Sequence, residues 1–337
     1  MAILPEDCRP MTNRVLIFEW LCGGGLWLDD SRPSNHPELV NQGQQMLSAI
    51  CEDFSAAGWL VSTPVDSRLK LDLQAQQTPI NSPRELDETF VQLGIDATYT
   101  LAIAPENDGR LARLVQRFDL LPGKKLNACS EFIELASNKN RMQAFLSQHG
   151  IDTPLGTPLE SADAPTESAG PYQYVLKPSD ACGGDDLKVV RSDVSPAEFF
   201  SMLPARCPDD WYPLRLEELV EGVAASISVI RTDDQTSILP PMRQVFKAGT
   251  VGKFSHVEPD LPDDLVPRAN AIAQQVVEVL PPFRGFIGID CVLGERDVAI
   301  EINPRPTMSY CVLRQMLPFN LAEKILGSTT NELERVQ

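Results

Sequence analysis

The segment "GFIGIDCVLGERDVAIEINPRP", from Gly285 to Pro306, restricts the fold more than any other stretch of the chain. Two alternating apolar runs flank Gly294-Glu295-Arg296-Asp297, a polar turn with a glycine, so the segment predicts a β-hairpin. With Leu293 opposite Val298, Asp290 falls opposite Glu301 and Gly288 opposite Asn303. Strand alternation then places Ile289, Cys291, Leu293, Val298, Ile300 and Ile302 on one apolar face that must be buried. The other face carries Asp290, Glu301 and Asn303 beside Gly288 and Ala299. Opposed side chains sit about 4.5–5.5 Å apart at Cβ, where like charges repel. No cation is evident in the local sequence, so the pair calls for a shared proton, an Arg or Lys from elsewhere, or, best of all, a hard divalent cation. Carboxylate and amide oxygens suit Mg²⁺, which takes one or two carboxylates together with substrate phosphates. A merely solvated sheet face is the competing reading. It accounts less well for an Asn two residues beyond the acid with Pro-Arg-Pro after it.

The chain has 337 residues, enough for two or three subdomains. Its 23% of charged residues and net charge of −18 point away from nucleic acid and anionic membrane as partners, but not from ATP, because local lysines can gather phosphate in an acidic protein. No apolar run reaches the length of a membrane span. The opening "MAILPEDCRPMTNR" lacks the basic start and apolar stretch of a signal peptide, so residues 1–13 are expected to be a loose leader. Eight cysteines form no C-x-x-C pair, and only three histidines occur, which argues against zinc and for a reducing cytoplasm.

Strands at "RVLIFEW", "GWLVSTPV" and "ATYTLAIAP" alternate with helices at Pro37–Ala57 and "NDGRLARLVQRF", which predicts a parallel α/β unit over residues 14–125. Gly23-Gly24-Gly25 after the first strand is either a phosphate loop or a tight turn. A second unit, 126–337, opens with two helical stretches, the later one stopping at Gly150. It continues through strands at "YQYVLKP" and "LKVVRS" around the loop "SDACGGDD", then "LRLEELVEG", "AASISVIRT", a helix over Val266–Leu280 and the hairpin.

Lys177 ends a strand ahead of Gly183-Gly184, an arrangement that suits phosphate, although a surface lysine before a turn is commoner. Lys139 in "SNKNRM" is a second candidate cation. In "LEELVEG", Glu217 and Val220 are spaced to present a carboxylate and a backbone N–H to an adenine edge. The order Lys139, Lys177 with its glycine loop, Glu217-x-x-Val220, then Asp290, Glu301 and Asn303 resembles the ATP-grasp superfamily of carboxylate–amine ligases over roughly residues 126–326. The resemblance implies an ATP-grasp fold of mixed α/β and α+β type behind a Rossmann-like N-terminal domain, with a lid lobe at about 171–222. It implies ATP as cofactor, with Lys139 and Lys177 on phosphate, Gly183 and Gly184 in the lid loop, and Glu217 and Val220 on adenine. Mg²⁺, or Mn²⁺, would sit on Asp290, Glu301 and Asn303. In "EINPRPTMSY" the N-P-R form implies Arg305 as a catalytic residue at the transferring phosphoryl group, with Lys177. Ala224 stands where many members carry a ribose-binding acid, leaving that contact to Glu221 or weaker.

The stretches "RVLIFEWLCGGG", "ELASNKNRMQAFLSQHGIDTP" and "EINPRPTMSY" are similar to the tyramine–glutamate ligase group of methanofuran and tetrahydromethanopterin biosynthesis. That resemblance implies a cytoplasmic enzyme that activates an acid, L-glutamate, as an acyl phosphate and joins it to an amine, tyramine or similar. The partners are then small-molecule substrates, with monomer or homodimer left open. Glu19, the Gly23–Gly25 loop and the basic stretch Arg243–His256 are the expected substrate-site segments, with Arg243 on the α-carboxylate. Another ATP-grasp amino-acid or dipeptide ligase, or a non-catalytic ATP-binding regulator, remains as an alternative.

Overall fold

The continuous apolar run of the first strand suits the centre of a parallel sheet, which is covered on both faces. The computed structural model describes residues 13–159, 173–180, 188–191, 214–247 and 253–327. Its first sheet holds β1 (Arg14–Glu19), β2 (Leu60–Asp66), β3 (Gln76–Ile80), β4 (Tyr99–Ile103) and β5 (Lys124–Lys125) in the order β3-β2-β1-β4-β5. Every pairing in it is parallel. Val15, Leu16, Ile17 and Phe18 of β1 are all buried. Helix α1 (Pro37–Ala56) starts on a proline whose missing N–H costs nothing there, and it buries Val40, Leu47, Ile50, Cys51 and Phe54 along one face. Helix α2 (Pro83–Ile95) is capped by Ser82, whose hydroxyl accepts the Glu85 N–H. Helix α3 (Arg110–Phe118) follows β4. Sequence reading left β3 and α2 unassigned.

The second unit carries two antiparallel sheets. One holds β6 (Gly156–Leu159), β7 (Gln173–Pro178), β8 (Lys188–Arg191) and β9 (Leu214–Glu218) in the order β6-β9-β7-β8. The other holds β10 (Val223–Arg231), β11 (Thr236–Ile238), β12 (Met242–Phe246), β13 (Phe254–Glu258), β14 (Gly285–Leu293) and β15 (Val298–Asn303). Its order is β13-β12-β10-β14-β15, with β11 beside β10. Helices α4 (Ser130–Ser137) and α5 (Lys139–Gln148) pack on β15, and α6 (Val266–Val279) packs on β10, β11 and β14. Helix α7 (Ser309–Met316) follows the N-P-R segment.

The hairpin forms as expected, with one correction of register. Asp290 does face Glu301, and Gly288 faces Asn303, but nearer the turn Cys291 pairs with Ala299 and Val292 with Val298. Ile300 is the extra residue of a bulge, so Leu293 does not face Val298 and Ala299 joins the buried face. The bulge falls next to Glu301, which confines the shift to the turn end of the hairpin.

Contacts divide the chain into one unit of residues 1–103, 117–126 and 318–337, and a second of 104–116 and 127–317. The expected boundary at 125–126 included neither interleaving. Helix α8 (Leu321–Leu326) belongs with the first unit because it buries Leu321, Ala322, Ile325 and Leu326 and packs on α1. Its N-cap, Asn320, also donates to the Asp53 carbonyl at 2.8 Å. The expected leader, residues 1–13, lies outside the described residues except for Asn13, as do Gly183 and Gly184 of the expected lid loop.

Candidate functional site

Helix α5 organises the site. Asn138 caps it by accepting the Arg141 N–H at 2.9 Å, which makes Lys139 the first helical residue and sets Gln143 one turn later on the same face. The Lys139 backbone N–H donates to the Ser179 carbonyl at 2.7 Å, tying α5 to the end of β7. Its Nζ reaches Glu301 Oε2 at 3.3 Å. Of the three ways expected to offset the opposed acids, an Arg or Lys from elsewhere is the one seen here: the cation comes from a helix 162 positions earlier in the chain, which local sequence cannot show.

Gln143 reaches the other sheet. Its amide donates to Glu217 Oε2 at 3.0 Å and more weakly to the Ile300 carbonyl at 3.4 Å. Glu217 also accepts from Arg215 Nε at 2.8 Å and pairs with the Lys177 ammonium. Register explains the triad. Lys177 of β7 faces Arg215 of β9 directly, a like-charged pair, and Glu217 stands two residues along the same face as Arg215, where it meets both. Lys177 is 5% exposed and Glu217 4%, so Lys177 is not the surface lysine that its place before a turn suggested. The Glu217 carboxylate, expected at an adenine edge, here accepts from three side chains. Val220 lies half-buried in the link between β9 and β10.

On the hairpin, Asn303 donates to Asp290 Oδ2 at 3.0 Å, while Asp290 Oδ1 is buried without a hydrogen-bond partner among the described residues. Burial, and then the Glu301 charge, push the Asp290 carboxyl up to about 6, with Ser226, Asn303 and Gln244 pulling the other way. Burial pushes Glu301 up too, but Lys139, Lys177 and Arg305 outweigh it and hold that carboxyl below its ordinary value. Two facing acids thus behave oppositely because the three cations act on Glu301, while Asp290 feels chiefly burial and the Glu301 charge. Among the described residues no three His, Cys, Asp or Glu side chains cluster as a metal site. Two carboxylates and an amide are a set that Mg²⁺ completes with phosphate oxygens and water. The orphaned Asp290 oxygen fits such an ion.

Arg305 meets Glu106, a residue that sequence reading missed. The arginine Nη2 donates to Oε2 at 3.0 Å and its Nε lies 2.9 Å from Oε1. Asn140 and Arg215, also missed, join α5 to β9 at 3.3 Å. The one available signal was the i, i+4 spacing of Lys139 and Gln143 on a helix start.

The remaining expected segments are otherwise engaged. Arg243 pairs with Glu258 and, at 2.8–2.9 Å, with Asp260, so a substrate carboxylate would compete with two acids for it. His256 lies 2.9 Å from Glu258, and residues 248–252 are outside the described set. In the first unit Glu19 is buried and accepts the Cys22 N–H at 2.7 Å. Gly24 has φ +96°, and a Cβ on Gly25 would stand 2.4 Å from the Trp20 ring. Those glycines build a tight turn, as the second of the two sequence readings held.

The ATP-grasp domain model matches residues 136–309, a span that contains every one of the cations and acids around Glu217 and Glu301. This chain belongs to the ATP-grasp family. It is 25% identical to the tyramine–L-glutamate ligase of Methanocaldococcus jannaschii over 94% of its own length and 90% of that protein. A crystal structure of a putative ATP-grasp superfamily protein from Archaeoglobus fulgidus superposes with a TM-score of 0.68 at 18% identity, over 94% of this chain and 88% of that one. The D-alanine–D-alanine ligase of Bacillus anthracis, crystallised with ATP, gives a TM-score of 0.60 at 15% identity, over 94% and 95% of the two chains. The expected ATP-grasp fold is therefore present, and the protein is an ATP-dependent ligase that forms carbon–nitrogen bonds. Among the described residues no helix is long and apolar enough to cross a membrane.

Proposed function

We propose that this ATP-grasp ligase activates the side-chain carboxylate of L-glutamate as an acyl phosphate and joins it to tyramine or a related aromatic amine. The observation that carries the chemistry is the facing pair Asp290–Glu301, with Lys139 paired to Glu301 and with Lys177 and Arg305 acting on the same carboxylate. The substrate choice is supported by the 25% identity to tyramine–L-glutamate ligase across nearly the whole of both chains.

A carboxylate oxygen of the acid attacks the γ-phosphorus of ATP, and ADP leaves. The amine nitrogen then attacks the acyl carbon, and phosphate leaves. Negative charge accumulates on phosphoryl oxygens in the first step, so positioned cations lower its barrier. Lys139 and Lys177 serve the phosphates in this proposal, and Arg305 serves the transferring phosphoryl group and the acyl phosphate. Glu217 holds Lys177 in place, and the chain from Glu217 to Val220 lies along the adenine. Asp290, Glu301 and Asn303 would hold Mg²⁺, or Mn²⁺, which neutralises charge on phosphate oxygens when bound. Gly183 and Gly184 are proposed to belong to a lid that keeps water from the acyl phosphate.

The test is ADP release from a panel of amino acids crossed with a panel of amines. Glutamate with an aromatic amine should be the fastest pair, and the product should be a γ-amide by mass spectrometry. Brisk turnover of a different pair, with glutamate inert, would remove the substrate assignment and leave the ligase chemistry.

A further inference from the structure

The segment after β4, residues 104–109, belongs by its contacts to the second unit, and its side chains show why. Glu106 is 5% exposed, and Arg305, 199 positions away, donates to it from Nη2 at 3.0 Å, with Nε a further ion contact 2.9 Å from Oε1. A buried, charge-assisted hydrogen bond backed by a second ion contact holds the guanidinium against this segment. The same guanidinium donates from Nη1 to the Pro306 carbonyl at 3.3 Å and helps hold the Glu301 carboxyl down.

Two residues further on, Asp108 adopts a left-handed backbone at φ +54°, a conformation that non-glycine residues rarely take. Its N–H donates to Asp180 Oδ2 at 3.1 Å and its carboxylate pairs with Arg110 at 2.7 Å. Asp180 directly follows Ser179, whose carbonyl accepts the Lys139 N–H. One short segment thus holds the arginine of the N-P-R motif and also the chain that leaves Lys177.

We propose that Glu106 is a positioning residue for Arg305. It holds the guanidinium in place at the acyl phosphate, with Asp108 bracing the segment against the end of β7. This rests on the role given to Arg305 above. Glu106 itself touches no reacting atom.

The experiment compares Glu106→Gln, Glu106→Ala, Arg305→Lys, Arg305→Ala and the double variant Glu106→Gln/Arg305→Lys in the full chain. Glutamine keeps the shape and an acceptor but loses the charge, and thermal melts confirm that each variant is folded. For Glu106→Gln we expect kcat to fall roughly 10- to 100-fold with KM for ATP within about 3-fold, since a small misplacement near the chemistry costs about that much. We also expect the ratio of ADP to amide to rise above one, because a misaligned Arg305 leaves the acyl phosphate to water. In the Arg305→Lys background, Glu106→Gln should add almost nothing, as residues acting through one another are not additive. Wild-type kcat and coupling in folded Glu106→Gln and Glu106→Ala, with Arg305 variants impaired, would overturn the positioning role alone. Losses that multiply in the double variant would overturn it too. Full activity of both Arg305 variants would overturn the role of Arg305 and this inference with it.

Discussion

Glu217 and Glu301 are glutamates served by the same helix, and they differ in how far their charge is compensated. Glu217 accepts from Lys177, Arg215 and Gln143 and is almost fully enclosed. Glu301 has Lys139 on one side but faces Asp290, whose Oδ1 lacks a partner among the described residues. A saturated buried acid is a pin: removing it strands two cations. An acid set against another acid is held short of its best arrangement, and that leaves coordination free for a ligand with positive charge.

The sharpest way to break this comparison is to neutralise each acid in turn. Glu301→Gln should lower ADP release by about 100-fold or more, the scale seen when electrostatic stabilisation of a transition state is removed. Its stability in urea should stay within about 1 kcal/mol of wild type, because the ion pair with Lys139 and the like-charge contact with Asp290 are lost together and offset each other. Glu217→Gln should do the reverse on stability, losing about 3–5 kcal/mol as Lys177 and Arg215 are left buried with one charge partner fewer. Equal destabilisation of the two variants would show that the distinction is not real.

A smaller effect separates the two members of the facing pair. Burial, then the Glu301 charge, raises the Asp290 carboxyl from 3.8 to about 6. The folded state therefore binds this proton more tightly than the unfolded chain. The contribution to stability is fully present below about pH 4 and is lost as pH rises through about 6, at most about 3 kcal/mol for a shift of this size. Asp290→Asn should flatten the stability curve over that interval. Matching curves for variant and wild type between pH 4 and 7 would show that Asp290 is not the titrating group.

The smallest effect should come from Arg243→Ala. Its guanidinium is about one-third exposed and already shared by Glu258 and Asp260, so KM for glutamate should change less than about 2-fold. A larger rise, with KM for ATP unchanged, would restore Arg243 to the substrate site and show that its two acids release it on binding.

Local physics made much of this protein legible before any coordinates. Period-two alternation and a polar turn are enough to place Asp290 opposite Glu301, because strand geometry alternates side chains whatever surrounds the sheet. Strands separated by helices announce the parallel unit, and Gly150 with φ +76° ends α5 where its sequence position indicated. Even the order of cations and acids was readable, since it lies along the chain. What tertiary structure alone decided is which distant groups meet. The bulge at Ile300 is not marked by the hairpin's own alternation. Lys139 reaches Glu301, Lys177 and Gln143 close around Glu217, and Glu106 takes Arg305, because elements far apart in sequence are packed side by side. Charge compensation is a property of three-dimensional neighbourhoods: Arg215 could be read two residues from Glu217, but the lysine that pairs with Glu301 lies 162 positions away and only packing brings it there.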